Sequence, residues 1–231
     1  MDGSRENSGE KSGEAERGGN PPNHDGSPGG VNPTLQESSQ QEGLLETIPW
    51  TKAFAFGVAA FVVGFAITAG FVFAEGLLEE ATEVDAEETV EDIDELTALG
   101  WVFYNTHFVD IEADVFFFSI SLDVLSEASD ELTIPTPIWR LIPVGVLTGM
   151  GYLFASQSLS AGRREAAYAK RGATIVVGYA PLVVAGTFLF TESAEGASLG
   201  PGLIESLLIA GLFYPLLFGA LGGYLAARLQ S

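Results

Sequence analysis

Four stretches of this chain carry no charged residue over the length that an α-helix needs to cross a lipid bilayer. Residues 53–74, 141–162 and 206–227 each run 22 residues without Asp, Glu, Lys or Arg, and residues 173–191 run 19. A helix rising 1.5 Å per residue needs about 20 apolar residues to span a hydrocarbon core of about 30 Å. Buried helices of a soluble core are the competing reading, but four such runs in 231 residues weigh against it. Trp50 and Trp139 stand at span edges, where amphipathic rings prefer the headgroup level. The expected fold class is therefore an all-α membrane protein, a bundle of four transmembrane helices.

Charge is segregated from these runs, which is how a net charge of -21 coexists with 47% hydrophobic residues. Residues 1–49 hold nine acids and three bases, residues 75–137 hold eighteen acids and no Lys or Arg, and four acids remain, Glu165, Glu192, Glu195 and Glu205. Lys52 precedes the first span, Arg163, Arg164, Lys170 and Arg171 fill the connection between the second and third, and Arg228 follows the fourth. Basic residues at span ends stay on the cytoplasmic side, so both termini are expected inside and residues 75–137 outside. A surface with 31 acids against 10 bases repels itself in dilute buffer. In molar salt the Debye length falls to about 3 Å and screens that repulsion. The composition thus suits a protein facing concentrated salt. It argues against a nucleic-acid partner, which needs a basic patch. The absence of cysteine excludes disulfides and thiolate sites.

The flanking segments divide the chain into two parts. Residues 1–49 are mostly Gly, Ser, Pro, Asn, Gln and Glu, too polar to offset the entropy of ordering, and are expected to form a disordered acidic cytoplasmic tail. Some fifty polar residues before the first apolar run do not resemble a secretory signal. Residues 50–231 form the membrane domain, with 75–137 as a small acidic extracellular α/β insertion. Within it, Val90, Ile93, Leu96, Gly100, Phe103 and His107 recur at helical spacing. The aromatic end of that pattern, Trp101-Val102-Phe103-Tyr104, suits the membrane surface or the bundle. Phe118, Ile120, Leu122 and Val124 alternate with Ser119, Ser121 and Asp123, a strand pattern. Pro135 and Pro137 close the insertion and introduce the second span.

Spans two and four share a pattern: Pro143 and Pro215 each stand eight residues before Gly-Tyr-Leu, at Gly151-Tyr152-Leu153 and Gly223-Tyr224-Leu225. Spans one and three share a fainter one, Gly57, Ala59 and Val62-Val63 beside Gly178, Ala180 and Val183-Val184. Two parallel hairpins, a 2+2 repeat, would produce it, as in some transporters; chance among apolar spans is the plainer account. Gly145 and Gly149, and Gly219 and Gly223, are helix-packing candidates, because glycine lets backbones approach where lipid tails offer no hydrophobic drive. Pro143, Pro181 and Pro215 are helix-kink candidates, each withdrawing a backbone donor.

Chemistry-bearing residues are few. On these boundaries the middle of every span is free of ionisable side chains, which weighs against proton-coupled or charged-solute transport. Arg140 and Glu205 come nearest; they pair across helices or snorkel to the interface. His107 precedes Asp110, Glu112 and Asp114, but one histidine with unevenly spaced acids is no metal motif. No catalytic residue, cofactor or metal ligand is assigned, and no enzyme is expected.

The segments Gly100-Trp101-Val102-Phe103-Tyr104-Asn105-Thr106-His107-Phe108-Val109, Val177-Gly178-Tyr179-Ala180-Pro181-Leu182 and Tyr214-Pro215-Leu216-Leu217-Phe218-Gly219-Ala220-Leu221-Gly222-Gly223 resemble a family of uncharacterised haloarchaeal multi-pass membrane proteins, over about residues 50–228. The resemblance implies a membrane protein of a halophile, sometimes labelled a transporter, and brings no activity or site residues. Two functions remain open. One is a small transporter or channel component, whose narrow four-helix bundle would need homo-oligomerisation to make a pore. The other is a non-transporting scaffold or accessory protein that binds a partner through its outer region or tail. Beyond the lipid bilayer, no partner is indicated.

Overall fold

A computed structural model describes residues 49–77, 94–115, 118–160, 163–194 and 196–230. The expected tail and the acid-rich stretch 78–93 lie outside the described residues. In chain order the elements are α1 (Trp50–Glu75), α2 (Glu95–Asn105), β1 (Ile111–Val115), β2 (Phe118–Leu122), α3 (Val124–Glu127), α4 (Thr136–Ser158), α5 (Glu165–Ala173), α6 (Val176–Leu189), β3 (Glu192–Ala194), β4 (Ala197–Pro201), the short turn α7 (Leu203–Glu205), a π-helix (Ser206–Phe213) and α8 (Tyr214–Leu229).

Among the described residues, four helical stretches are long and apolar enough to cross a membrane: Trp50–Glu75, Thr136–Ser158, Glu165–Leu189 and Leu203–Leu229. Only 28% to 39% of their most apolar windows is buried, so most of that apolar surface faces outward, as lipid requires and water does not tolerate. In α1 the sorting is by size. Ala53, Gly57, Ala60, Gly64, Thr68 and Val72 face inward at helical spacing, while Phe54, Val62, Val63, Ile67 and Phe73 are exposed. Gly76 ends the helix in the left-handed conformation at φ 75°, its N–H donating to the Val72 carbonyl.

The third span begins earlier than its uncharged run. Helix α5 already covers Glu165–Ala173, so Lys170 and Arg171 are helical, not part of a connecting loop. The stretch Glu165-Ala166-Ala167-Tyr168-Ala169-Lys170-Arg171 holds mostly strong helix formers. A turn at Thr174 and Ile175 separates α5 from α6, with the Thr174 hydroxyl donating to the Arg171 carbonyl at 2.7 Å. Arg171 is only 7% exposed, so this stretch does carry a buried ionisable side chain. Trp139, expected at the headgroup level, is wholly buried, with its ring 5.3 Å from Phe71.

Past the ends of α1 and α6 sits a four-stranded antiparallel sheet of order β2-β1-β4-β3. The strand expected at 118–124 is β2; its alternation did not reveal the hairpin β3–β4, which the connection between the third and fourth spans supplies. Register aligns Ile111 with Leu122 and Pro201, Ala113 with Ile120 and Leu199, and Val115 with Phe118 and Ala197. One face is therefore apolar, and the other carries Glu112, Asp114, Ser119, Ser121 and Ser198. At one end of the strands Ile111 is buried in the bundle core, joined by Leu122 and Leu199; at the other, Phe118 is 76% exposed.

Candidate functional site

Helix α2 settles where the aromatic segment goes: into the bundle. Thr97 near its start donates to Glu192 of β3 at 3.0 Å. From there the helix descends between α1 and α6. The Trp101 indole donates to the Phe190 carbonyl at 2.7 Å, and the Tyr104 hydroxyl donates to the Val183 carbonyl. Phe103 meets Phe61 and Phe65, near the middle of α1, at ring distances of 5.1 and 5.4 Å. Eight helical steps from Thr97 to Asn105 correspond to a descent of about 12 Å. Gly100 is required here, since a Cβ would lie 2.6 Å from carbons of the Phe190 ring.

At the lowest point the chain reverses, and its polar groups are satisfied within the protein, as non-helical backbone at this depth demands. The Asn105 amide donates to the Val109 carbonyl at 2.7 Å and accepts from the Leu125 N–H at 3.1 Å. His107 is fully buried. Its Nδ1 is 2.9 Å from the Phe103 carbonyl, which can only accept, so Nδ1 carries the hydrogen. Nε2 is then the acceptor for the Tyr179 hydroxyl at 2.7 Å. Burial holds the imidazole well below its ordinary pKa, which favours the neutral ring; both nitrogens are engaged within the bundle, while Asp110, Glu112 and Asp114 continue into the sheet. Among the described residues no cluster of His, Cys, Asp or Glu could hold a metal ion.

The reversal leads into Phe108, whose φ of 59° is rare for a bulky residue. This conformation sets its ring beneath Arg140, with the guanidinium carbon 4.1 Å from the ring centroid. Arg140 Nη2 donates to Asp123 Oδ2 at 2.6 Å and to the Ser126 hydroxyl at 3.1 Å, while Nε is buried without an acceptor. Asp123 also caps α3 by accepting from the Ser126 N–H at 3.1 Å. Arg140 therefore pairs with Asp123, not with Glu205, which accepts from the Asp110 N–H at 3.3 Å.

Beside Arg140 a pocket of about 590 Å³ opens on the flank of the bundle, between the start of α4 and the beginning of α8. Phe108, Ser126, Ser129, Thr136 and Arg140 line it together with Pro137, Leu141, Val144, Tyr214 and Phe218. Tyr214 joins the two features, since its ring also lies 5.1 Å from that of His107. Asp110 and Glu112 lie nearby at the foot of the sheet. Partial burial raises both carboxyls above their ordinary range, and the Glu205 charge adds to the effect in each.

The residues singled out by sequence are distributed unevenly. A Cβ at Gly219 would lie 2.7 Å from the Gly172 carbonyl oxygen, and one at Gly223 2.7 Å from the Tyr168 carbonyl carbon; at Gly145 or Gly149 it would meet nothing within 4 Å. Pro143 and Pro181 lie within α4 and α6. Pro215 follows the π-helix and has no N–H to offer the Gly211 carbonyl. Gly57 and Gly178, noted only as a shared pattern, are in backbone contact: a Cβ on Gly57 would stand 2.8 Å from the Gly178 Cα. Arg140 reads from sequence as an interfacial residue, and nothing in the sequence ties it to Phe108 or to a pocket.

Apolar outward faces, small residues within and four spans define an integral multi-pass membrane protein. The chain belongs to a family of unknown function, DUF7978, whose model matches residues 33–230. No curated protein and no solved structure matches it.

Proposed function

We propose that this protein is a membrane-embedded binding component, a scaffold or accessory protein that conducts no solute through its own bundle and acts by binding rather than catalysis. One observation carries this reading: α2 fills the space between α1 and α6 with aromatic side chains. Phe103, Tyr104 and His107 pack there against Phe61, Phe65, Tyr179 and Phe190. Glycine contacts reinforce it elsewhere, bringing α1 against α6, and α8 against α4 and α5, backbone to backbone. The lateral pocket beside Arg140, by contrast, is open at the flank of the bundle. Reconstituted into vesicles, the protein should leave the permeation of glycerol, urea and small ions at the lipid-only background. Flux above background that disappears in Pro215→Ala would overturn the proposal.

That outcome would favour the second reading, a transporter or channel component assembled from several copies. The break at Thr174 and Ile175 and the π-helix before Pro215 support it, because interrupted helices and π turns recur where membrane proteins bind and move solutes.

Two finer readings accompany the proposal. Lys52, the Arg163–Arg171 region and Arg228 stand at the same ends of the spans, which supports a cytoplasmic location for both termini. The chain has no native cysteine, so single cysteines at Ser160 and Ser193 report sidedness cleanly; labelling of Ser160→Cys from outside would refute that orientation. The net charge of -21 supports a setting of concentrated salt. Thermal stability in detergent should then rise steadily from dilute buffer to molar potassium chloride.

A further inference from the structure

We infer that the lateral pocket holds one phosphate-bearing lipid, with its chain against Leu141, Val144 and Phe218 and its headgroup phosphate beside Arg140. The inference rests on the reading of this pocket as the working site. Its position names the occupant's source. Leu141, on the rim, is 59% exposed on a helix surrounded by lipid, so the pocket is continuous with the surface that hydrocarbon already covers.

Polarity runs the right way for an amphiphile. Ser126, Ser129, Thr136 and Arg140 come from the sheet end of the bundle, while Leu141, Val144 and Phe218 lie further along the spans. The volume of about 590 Å³ falls within the roughly 300–1,000 Å³ of small-molecule sites, so it takes a headgroup and part of a chain while the rest stays in the leaflet.

The side chain at the polar end is not fully satisfied. Arg140 Nη2 serves Asp123 and Ser126, but Nε, though buried, has no acceptor. A buried donor of that kind calls for a missing partner. Phosphate oxygens match the guanidinium fork, and phosphate is the acceptor common to phospholipid headgroups. The half-exposed Phe108 ring covers the guanidinium and would have to tilt for an oxygen to reach Nε. Since Asp123 already balances the Arg140 charge, hydrogen bonding rather than net charge selects the ligand.

Native mass spectrometry of the full chain, purified in detergent and titrated with defined lipids, tests this. Phosphatidylglycerol should be retained at one per chain, and diacylglycerol, which lacks the phosphate, about tenfold more weakly, the loss of one charge-assisted hydrogen-bonded group. Arg140→Gln should erase that preference. Leu141→Trp at the exposed rim and Val144→Trp within should each abolish the tightly held lipid, and the rim variant remains informative should the inner one fail to fold. Unchanged retention in Leu141→Trp, or equal retention of both lipids by the native chain, would overturn the inference. Displacement of the lipid by millimolar inorganic phosphate would also overturn it, by reducing the pocket to a phosphate site. Vesicle flux is measured separately, so loss of the lipid with flux at background removes the occupant and leaves the binding reading standing.

Discussion

The bundle is held together differently along its length. Where α1 meets α6, and where α8 meets α4 and α5, glycines bring helices into backbone contact, and little but hydrogen atoms separates them. Gly57 faces Gly178, Gly172 faces Gly219 and Gly223, and Gly222 lies against the Thr148 carbonyl. Toward the sheet, the helices stand apart, and α2 enters between α1 and α6 with Trp101, Phe103 and Tyr104. In the first region affinity comes from close backbone approach, because burial against lipid-like surroundings gains little. In the second, aromatic rings and hydrogen bonds fill a space that the spans alone would leave open. The two regions meet near the pocket, where Phe108, just past α2, and Tyr214 and Phe218 of α8 share its lining.

The largest effect is expected from emptying the second region. Phe103→Ala removes a fully buried ring that touches Phe61, Phe65, Tyr104 and His107. Such truncations cost about 3–5 kcal/mol. Denaturant titration in detergent should show the loss. A cost under about 1 kcal/mol would mean that α2 is not an integral part of the bundle.

Glycine contacts come next, and they test the first region against itself. In Gly178→Ala the new methyl would lie 2.8 Å from the Phe54 carbonyl carbon, forcing α1 and α6 apart. Overpacking of this kind costs about 1–3 kcal/mol, although alanine gains helix propensity of about 1 kcal/mol over glycine. Gly145→Ala meets nothing within 4 Å and keeps only the gain, so the two substitutions should move stability in opposite directions. If both stabilise, the close contact of α1 and α6 is absent in the membrane.

How much of this was readable in the sequence follows from the same contrast. The spans were legible because an uncharged run of this length has few alternatives, and the ends of the first and fourth helices lie within three residues of the runs. Helix α5 escaped because Lys170 and Arg171 look like loop charges until Gly172 is seen against α8. The pairs Gly145/Gly149 and Gly219/Gly223 have identical spacing, and spacing alone does not say which face turns inward. The hairpin Glu192–Pro201 lacks large alternating side chains, so only its pairing with β1 makes it a strand. Most of the site was hidden for a further reason: His107 with Tyr179, and Arg140 with Phe108, are contacts between distant segments that one sequence read alone does not link.

An effect of similar size should separate hydrogen bonding from packing around the reversal. Tyr179→Phe keeps the ring beside Phe61 and His107 but removes the hydroxyl from His107 Nε2. A buried acceptor left without its donor costs about 1–3 kcal/mol. His107→Phe should cost similarly, and the double variant should cost less than the sum, with the coupling read from a double-mutant cycle. Strict additivity would mean that the pair does not act as one unit.

The smallest effect lies where the second region meets water. Asp110 is raised first by burial, then by the charges of Glu205 and Asp123, with Arg140 opposing; Glu112 is raised by burial and by Glu205. Because the folded state holds these protons more tightly than the unfolded chain, stability is greatest below the ordinary carboxylate range. It falls as pH rises through the raised values. Asp110→Asn cannot ionise and should flatten that decline. At neutral pH it should be as stable as the native chain or slightly more so, and near pH 4 the difference should shrink. Molar salt, which screens Glu205 and Asp123 from Asp110, should narrow the neutral-pH gap without removing the part due to burial. Melting curves across pH at two salt concentrations decide this, and a variant less stable than the native chain at pH 7 would show that the ionised Asp110 side chain stabilises the turn instead of straining it.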